Sequence, residues 1–180
     1  LMDCHGMFYE LSPVVYGQRM VIVRPVSAHL RVVPDFCSWR GMMVMGTDQA
    51  SSAPNSNVLC GEMTAGPWFG TIEDLWKSGK PAGWGGPWWD SDVEAGRPSD
   101  PYLMTGFDRK CLHLTHDSGK AVSFTVEVDF RGDGAWKAYR TIEVPAKGYI
   151  HHEFPDGFSA HWVRLVPESP CRATGYFIYT

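Results

Sequence analysis

Five of the chain's eight tryptophans, Trp68, Trp76, Trp84, Trp88 and Trp89, fall within residues 67–90, PWFGTIEDLWKSGKPAGWGGPWWD, among glycines and prolines. Indole offers a broad, rigid apolar face and a single N–H donor. The chemistry open to such a cluster is stacking, and the C–H faces of sugar rings are suitable partners. The glycine and proline content argues against a regular helix or strand here, so the stretch reads as a loop. Either the indoles plug gaps beneath that loop as a small core of its own, or at least one stands exposed as a stacking platform. Trp39 beside Arg40 in PDFCSWRG extends the second alternative, because a guanidinium can hold a carboxylate while the neighbouring indole stacks on a ring. The candidate ligand-binding residues are therefore Trp39, Arg40, Trp68, Trp76, Trp84, Trp88 and Trp89.

Other chemistries find less support. His113 and His116 lie in CLHLTHD, His151 and His152 in YIHHEF, and His161 in AHW. A metal site on a β-scaffold needs ligands on one strand face, and neither a three-residue spacing nor adjacent positions supplies that on a straight strand. A bulge that gathered His113, His151 and His161 on one inner face would be the route to a metal; structural histidines are the expectation, with no metal and no cofactor. The chain has no GxSxG, HExxH, GxxxxGK or GxGxxG motif. Glycoside hydrolysis needs only two suitably spaced carboxyl groups, and Asp35, Asp48, Glu62, Glu73, Asp74, Asp90, Asp92 and Glu94 all precede residue 100, but sequence does not pair them. Arg24, Arg31 and Arg40 stand in or beside apolar runs, where each calls for a partner such as Asp35 or Asp48, or an anionic ligand such as a uronic or sulfated sugar.

The elements that would position these groups are almost all β. From residue 100 on, runs rich in β-branched and aromatic residues are broken by Gly, Pro and Asp at the spacing of a sandwich or barrel. Strands are expected near Lys110–His116, Ala121–Phe130, Ala135–Val144, Gly148–Phe154, Ala160–Val166 and Cys171–Tyr179. The Arg131-Gly132-Asp133-Gly134 link between two alternating strands predicts a hairpin. Val122, Phe124, Val126 and Val128 should face a core, while Trp136, Ala138, Arg140, Ile142 and Val144 share one side of the partner strand; for His161–Val166 alternation does not decide the inner face. Earlier, MFYEL, MVIVRP, HLRVV, GMMVMG and PWFGTI read as strands, Asp48–Asn57 as an irregular connection and Ile72–Lys77 as one helical turn. GRPSDP at Gly96–Pro101 has linker composition.

Composition bounds the rest. The chain has 180 residues, 44% hydrophobic and 20% charged, with a formal net charge of −4. That is enough chain for one larger domain or two small ones. No apolar run approaches a membrane span, and scattered Lys and Arg residues lack the footprint of a nucleic-acid binder. Five widely spaced cysteines indicate neither a zinc knuckle nor a disulfide framework, and Cys111 and Cys171 read as small buried hydrophobes. The opening LMDCHGMFYEL has no initiating methionine and no targeting signal and starts in what reads as mid-strand, so the chain is expected to be part of a longer protein.

The strings GMFYELSP, PDFCSWRG, WFGTIEDLWKSGKPAGWGGPWW, SDPYLMTGFDRKCLHL and HHEFPDGFSAHWVR resemble the carboxy-terminal part of uncharacterised bacterial proteins built from a β-propeller followed by a β-sandwich, found among glycan-degrading bacteria. The resemblance covers nearly the whole chain but carries over no catalytic residue. It implies that residues 1–100 are propeller-blade-like and that 101–180 form a jelly-roll-like antiparallel sandwich. The combined expectation is an all-β, extracytoplasmic carbohydrate-recognition module or piece of a glycan-processing protein, partnered by the rest of its parent chain or by a second copy. The alternatives are the catalytic part of a glycoside hydrolase or polysaccharide lyase, and a bracing domain without ligand.

Overall fold

In a computed structural model of the protein, residues 1–11, 23–29, 33, 35–46 and 67–180 are described. These residues are all-β, with fourteen strands and one short 3-10 helix, and the strands form four antiparallel sheets, none closed. Among the described residues, no helix is long and apolar enough to cross a membrane. Two compact units result, one ending at Pro81 and the other running from Ala82 to Thr180. Arg31, Asp48, Cys60, Glu62, most of HLRVV and the Asp48–Asn57 connection lie outside the described residues.

The first unit holds two three-stranded sheets in chain order: β1 (Met2–Cys4), β2 (Met7–Leu11) and β3 (Val23–Ala28), then β4 (Phe36–Trp39), β5 (Met42–Met45) and β6 (Trp68–Gly70). The two-residue links His5-Gly6 (φ 49° and 83°) and Arg40-Gly41 (φ 50° and 76°) have both φ positive, the type I′ geometry whose twist suits a hairpin. β1 and β4 are additions to the expected strands. Phe8, Val26, Met43, Met45 and Leu75 make the small core. Leu75 comes from the 3-10 helix Ile72–Lys77, where a turn was expected. The Asp74 carboxylate fixes its start by accepting the Thr71 backbone N–H at 2.9 Å and Lys77 Nζ at 2.6 Å. Those two hydrogen bonds, the lysine's foremost, hold the Asp74 carboxyl below its ordinary value.

The second unit consists of two four-stranded sheets over one core. With β7 (Gly83–Val93), β8 (Tyr102–Leu103), β9 (Lys110–His116), β10 (Val122–Asp129), β11 (Lys137–Val144), β12 (Tyr149–Glu153), β13 (Trp162–Pro167) and β14 (Cys171–Tyr179), the orders are β11-β10-β13-β8 and β12-β9-β14-β7. The last six strands fall where hydrophobic alternation places them. Val122, Phe124, Val126 and Val128 face inward from β10, and Val163 and Leu165 of β13 share one buried cluster with Leu112, Leu114 and Phe177 of the other sheet. The β10–β11 hairpin is present. Its turn is fastened by the Asp129 carboxylate, which accepts the backbone N–H groups of Arg131, Gly132, Asp133 and Gly134 at 2.6–3.3 Å.

Three expectations are corrected. Trp136, Ala138 and Arg140 do not share the inner side with Ile142 and Val144. A bulge between Val126 and Glu127 leaves Tyr139 without a strand partner, and Tyr139 rather than its neighbours packs inward on Phe154 and Phe158, with centroids at 5.4 and 4.6 Å. Trp136 lies outward under the Arg164 guanidinium, 4.2 Å from its ring centroid. Second, GRPSDP is no linker. Gly96 N–H donates to Pro167 O at 2.7 Å, Ser99 N–H to Leu165 O at 2.8 Å, and the Ser99 hydroxyl takes the Leu165 N–H at 3.1 Å, so the segment runs beside β13 and the unit opens at Ala82, ahead of residue 101. Third, the last third of the tryptophan-rich stretch, from Gly83 on, belongs to the eleven-residue strand β7 rather than to an irregular loop.

Val126 has 0% exposure and belongs to the apolar core cluster of this unit. Val126→Asp is expected to abolish the cooperative transition of the second unit, because an unpaired carboxylate buried there costs several kcal/mol. A denaturant melt of the variant that keeps the wild-type midpoint would show that the face is not a core.

Candidate functional site

The geometry of the tryptophans follows from how β7 pairs with β14. Register runs Phe177 to Gly85, Gly175 to Trp88 and Ala173 to Ser91, so β7 spends three residues for every two of β14, twice in succession. Each step is a β-bulge with one extra residue. The bulges replace the two-residue period of a strand by three over this stretch, keeping Gly85, Trp88 and Ser91 inward and placing Trp89 and Asp90 together on the outer face. Asp90 takes φ 46°, and its backbone N–H donates to Thr174 Oγ1 at 2.9 Å. Close approach needs two glycines. A methyl group at Gly86 would overlap the Gly175 carbonyl, and one at Gly175 would overlap Leu165 Cδ1 while crowding the Trp88 ring. Pro87 is tolerated because β7 is an edge strand.

Trp88 is consequently a core residue at 9% exposure, packed on Phe124, while Trp84 and Trp89 stand out at 75% and 72%. Trp84 lies opposite the exposed Ile178, and Trp89 meets the Tyr176 ring edge-on at 5.6 Å. The indoles thus belong to the outer face of a sheet. Cross-strand register sets Tyr176 beside His113 and His113 beside His151, with Ile178, Cys111 and Glu153 in the next row and Thr174, Thr115 and Tyr149 in the row before. Tyr149 Oη and His113 Nδ1 are hydrogen-bonded at 2.7 Å, with ring planes 19° apart and centroids 6.0 Å apart. Those values place the two rings edge to edge, so the Tyr149 side chain lies along the sheet toward its diagonal neighbour.

Two arginines border this face. Arg172 is clamped by Asp90 through Nε to Oδ1 at 2.8 Å and Nη2 to Oδ2 at 2.9 Å, and the exposed Arg109, whose backbone pairs with Thr180, borders a cavity with Cys111, Glu153 and Ile178. Burial, with the Glu153 carboxylate adding to it, raises the Cys111 thiol above its ordinary value, so it presents no thiolate at neutral pH.

The remaining sequence-derived candidates lie in the first unit. Arg40, at its hairpin turn, stacks over Trp39 at 4.7 Å, and Trp39 meets Phe69 edge-on at 6.3 Å; Trp39 and Phe69 are 49% and 52% exposed. Trp76 is exposed on the 3-10 helix, whereas Trp68 packs against the small core and borders a cleft of about 570 Å³ with Phe8, His29, Asp74 and Lys77. The seven residues therefore do not make one site. Arg24 is exposed on β3 and Asp35 caps the Phe36 N–H at 2.8 Å. Among the described carboxylates, Asp74 is committed to Lys77, Asp90 to Arg172 and Glu94 to Arg97.

The gathering of His113, His151 and His161 on an inner face is overturned. His113 and His151 oppose each other on the outer face, whereas His161 points into the core of the other sheet. Among the described residues no group of three or more His, Cys, Asp or Glu is placed to hold a metal ion. His116 is buried with both nitrogens occupied: Nε2 donates to Val144 O at 3.1 Å and Nδ1 accepts the Ser118 N–H at 3.1 Å. Sequence reasoning missed Tyr149 and Tyr176 as members of the exposed face. Alternation along β12 and β14 assigns each a side, but only the register sets them beside His113.

Truncating Trp88 to alanine should cost about 3–5 kcal/mol of stability, Trp89→Ala about 1 kcal/mol through its ring contact with Tyr176, and Trp84→Ala no more than about 0.5 kcal/mol. Chemical denaturation of the three variants checks the order, and equal losses would contradict the inward and outward assignment. A second expectation concerns pH. His152 and His161 carry buried Nε2 atoms without a hydrogen-bond partner. Burial lowers both imidazoles below their ordinary value, reinforced at His152 by Arg140 and outweighing Asp129 at His161. The unfolded chain therefore takes up these protons first as pH falls. Their contribution is retained above about pH 6.5 and lost progressively below it. Denaturation midpoints at several pH values from 7.5 to 5 should show a shallower acid loss for the His152→Gln, His161→Gln double variant; an unchanged slope would remove these residues from the acid response.

No protein family, curated protein or solved structure matches the chain.

Proposed function

We propose that the second unit is a carbohydrate-recognition module that stacks sugar rings on the exposed indoles of β7. The observation that carries this reading is the contrast along one strand: Trp84 and Trp89 at 75% and 72% exposure, on either side of a Trp88 at 9%. An indole left in water costs hydrophobic free energy that burial would recover, and two on one folded, well-paired strand mark a surface that gains by being covered. The polar groups beside them, Thr174, His113 and Tyr149, suit hydroxyl partners. A catalytic reading has less support, because the described carboxylates near the indoles do not converge and Asp90 is held by Arg172.

The shared core of the two four-stranded sheets supports a β-sandwich architecture for this unit. In the first unit, each three-stranded meander runs in chain order as a propeller blade does, one strand short of the usual four among the described residues. The Trp39–Arg40–Phe69 group is a second, smaller exposed aromatic site of that unit.

Titration with a panel of soluble neutral glycans, read by indole fluorescence, should identify at least one that shifts emission. Trp84→Ala and Trp89→Ala should each weaken that binding roughly fivefold, the equivalent of about 1 kcal/mol per stacking contact, and each should melt much closer to the wild type than Trp88→Ala does. A panel without response, together with variants that melt far below the wild type, would make the indoles structural.

A further inference from the structure

The exposed rings do not stop at β7. Trp89 packs on Tyr176 of β14, Tyr176 is the register partner of His113 of β9, and His113 is the register partner of His151 of β12. One ring per strand thus crosses the whole sheet in order, Trp89, Tyr176, His113, His151. Tyr149 is hydrogen-bonded to the third of them at 2.7 Å and is 56% exposed. Ring centroids lie 5.6 Å apart in the first pair and 6.4 Å apart in the last, and strand register alone joins Tyr176 to His113 between them. The row changes character along its length. At the β7 end it offers indole faces, and at the β12 end it offers imidazole nitrogens, the Tyr149 hydroxyl and the Glu153 carboxylate, which bond hydroxyl groups.

We propose that this row is one continuous site for an extended, uncharged β-1,4-linked oligosaccharide lying across the strands, stacked on Trp89 at one end and hydrogen-bonded at the Tyr149–His113–His151 end. The proposal rests on the carbohydrate reading of the β7 indoles and adds the ligand's length, course and charge. Length follows from strand spacing: three interstrand steps span roughly 14 Å, room for about three pyranose rings in a row. Course follows from the straight order of rings, which matches the ribbon of an equatorially β-1,4-linked chain and not the coil of an α-linked one. Charge follows from the row itself: Arg172 is clamped by Asp90, and Arg109 borders the cavity of the next row together with Glu153, so Trp89, Tyr176, His113 and His151 have no unpaired Arg or Lys among them to hold a uronate or sulfate. The same balance of rings with hydroxyl-bonding groups distinguishes the row from the contiguous apolar patch that a protein partner would cover.

Calorimetric titration of the whole chain with β-1,4-linked gluco-, xylo- and manno-oligosaccharides of two to six units tests this. In at least one series the dissociation constant should fall at least tenfold from the dimer to the tetramer and then level off. Tyr176→Ala, His113→Ala and Tyr149→Phe should each weaken the tetramer severalfold and leave the dimer unchanged, whereas Trp89→Ala should weaken both; Tyr149→Phe keeps the ring and removes only the hydroxyl, so its effect is independent of packing. Affinity that does not grow with chain length, or silence of the Tyr176, His113 and Tyr149 variants where Trp89→Ala still weakens the dimer, would confine the site to the indoles and overturn the extended row. β-1,4-linked oligomannuronates of the same lengths binding more tightly than every neutral series would overturn the assignment of an uncharged ligand. If no oligosaccharide of any series binds, and the glycan panel is also silent, the carbohydrate reading itself falls and this one with it.

Discussion

The structure of the second unit turns on how closely β7 approaches β14. With a side chain at neither Gly86 nor Gly175, the Gly86 backbone lies against the Gly175 carbonyl, and the space over Gly175 is filled by Leu165 and the Trp88 ring. That proximity allows the pair of bulges to form, and the bulges dictate which tryptophan enters the core. One constraint therefore serves two ends. It seals the edge of the hydrophobic core with Trp88, and by the same change of period it leaves Trp89 and Asp90 outside. Bulges at a sheet edge commonly re-aim side chains at functional positions, and here the re-aimed group is an indole.

The two faces of this single sheet accordingly differ in kind, one packed into the core and one carrying exposed rings. Inward residues such as Leu112, Leu114 and Phe177 are fully buried and provide the cohesion of the unit through apolar area removed from water. The outward residues of the same strands, His113, Tyr176 and Ile178, face solvent or are half buried. Because the core fixes strand register, it also fixes the spacing of the outward rings to within the tolerance of a packed interior. The aromatic row is thus presented by a scaffold already ordered, and a ligand that covers it does not have to pay for ordering the backbone.

The two units differ in how much scaffold they have. Among the described residues, the first rests on a small cluster of Phe8, Val26, Met43, Met45 and Leu75 and a 3-10 helix pinned by Asp74; the second has a core that joins both of its sheets. The larger core supports the longer strands, and with them the longer row of exposed rings. In the first unit the exposed Trp39, Phe69 and Arg40 cluster at the tip of one hairpin and its neighbouring strand, a small surface set by a type I′ turn and not by a broad sheet.

By itself the sequence determined the all-β class, the six strands from Lys110 onward, the Arg131–Gly134 hairpin and the inner face of β10, since strict alternation of β-branched and apolar residues with polar ones permits only one burial pattern when one side of a sheet is wet. It also singled out the density of tryptophans between residues 67 and 90. It did not determine which of them are buried. Period-two reasoning holds only while a strand keeps step with its partner, and β7 loses step twice. The partner that forces this, β14, lies more than eighty residues away along the chain. For the same reason the face that Trp84 and Trp89 share with Tyr176, His113, His151 and Tyr149 was decided by the tertiary structure alone: side-chain direction is a local property of each strand, whereas register between β7, β14, β9 and β12 is set by the packing of the core beneath them.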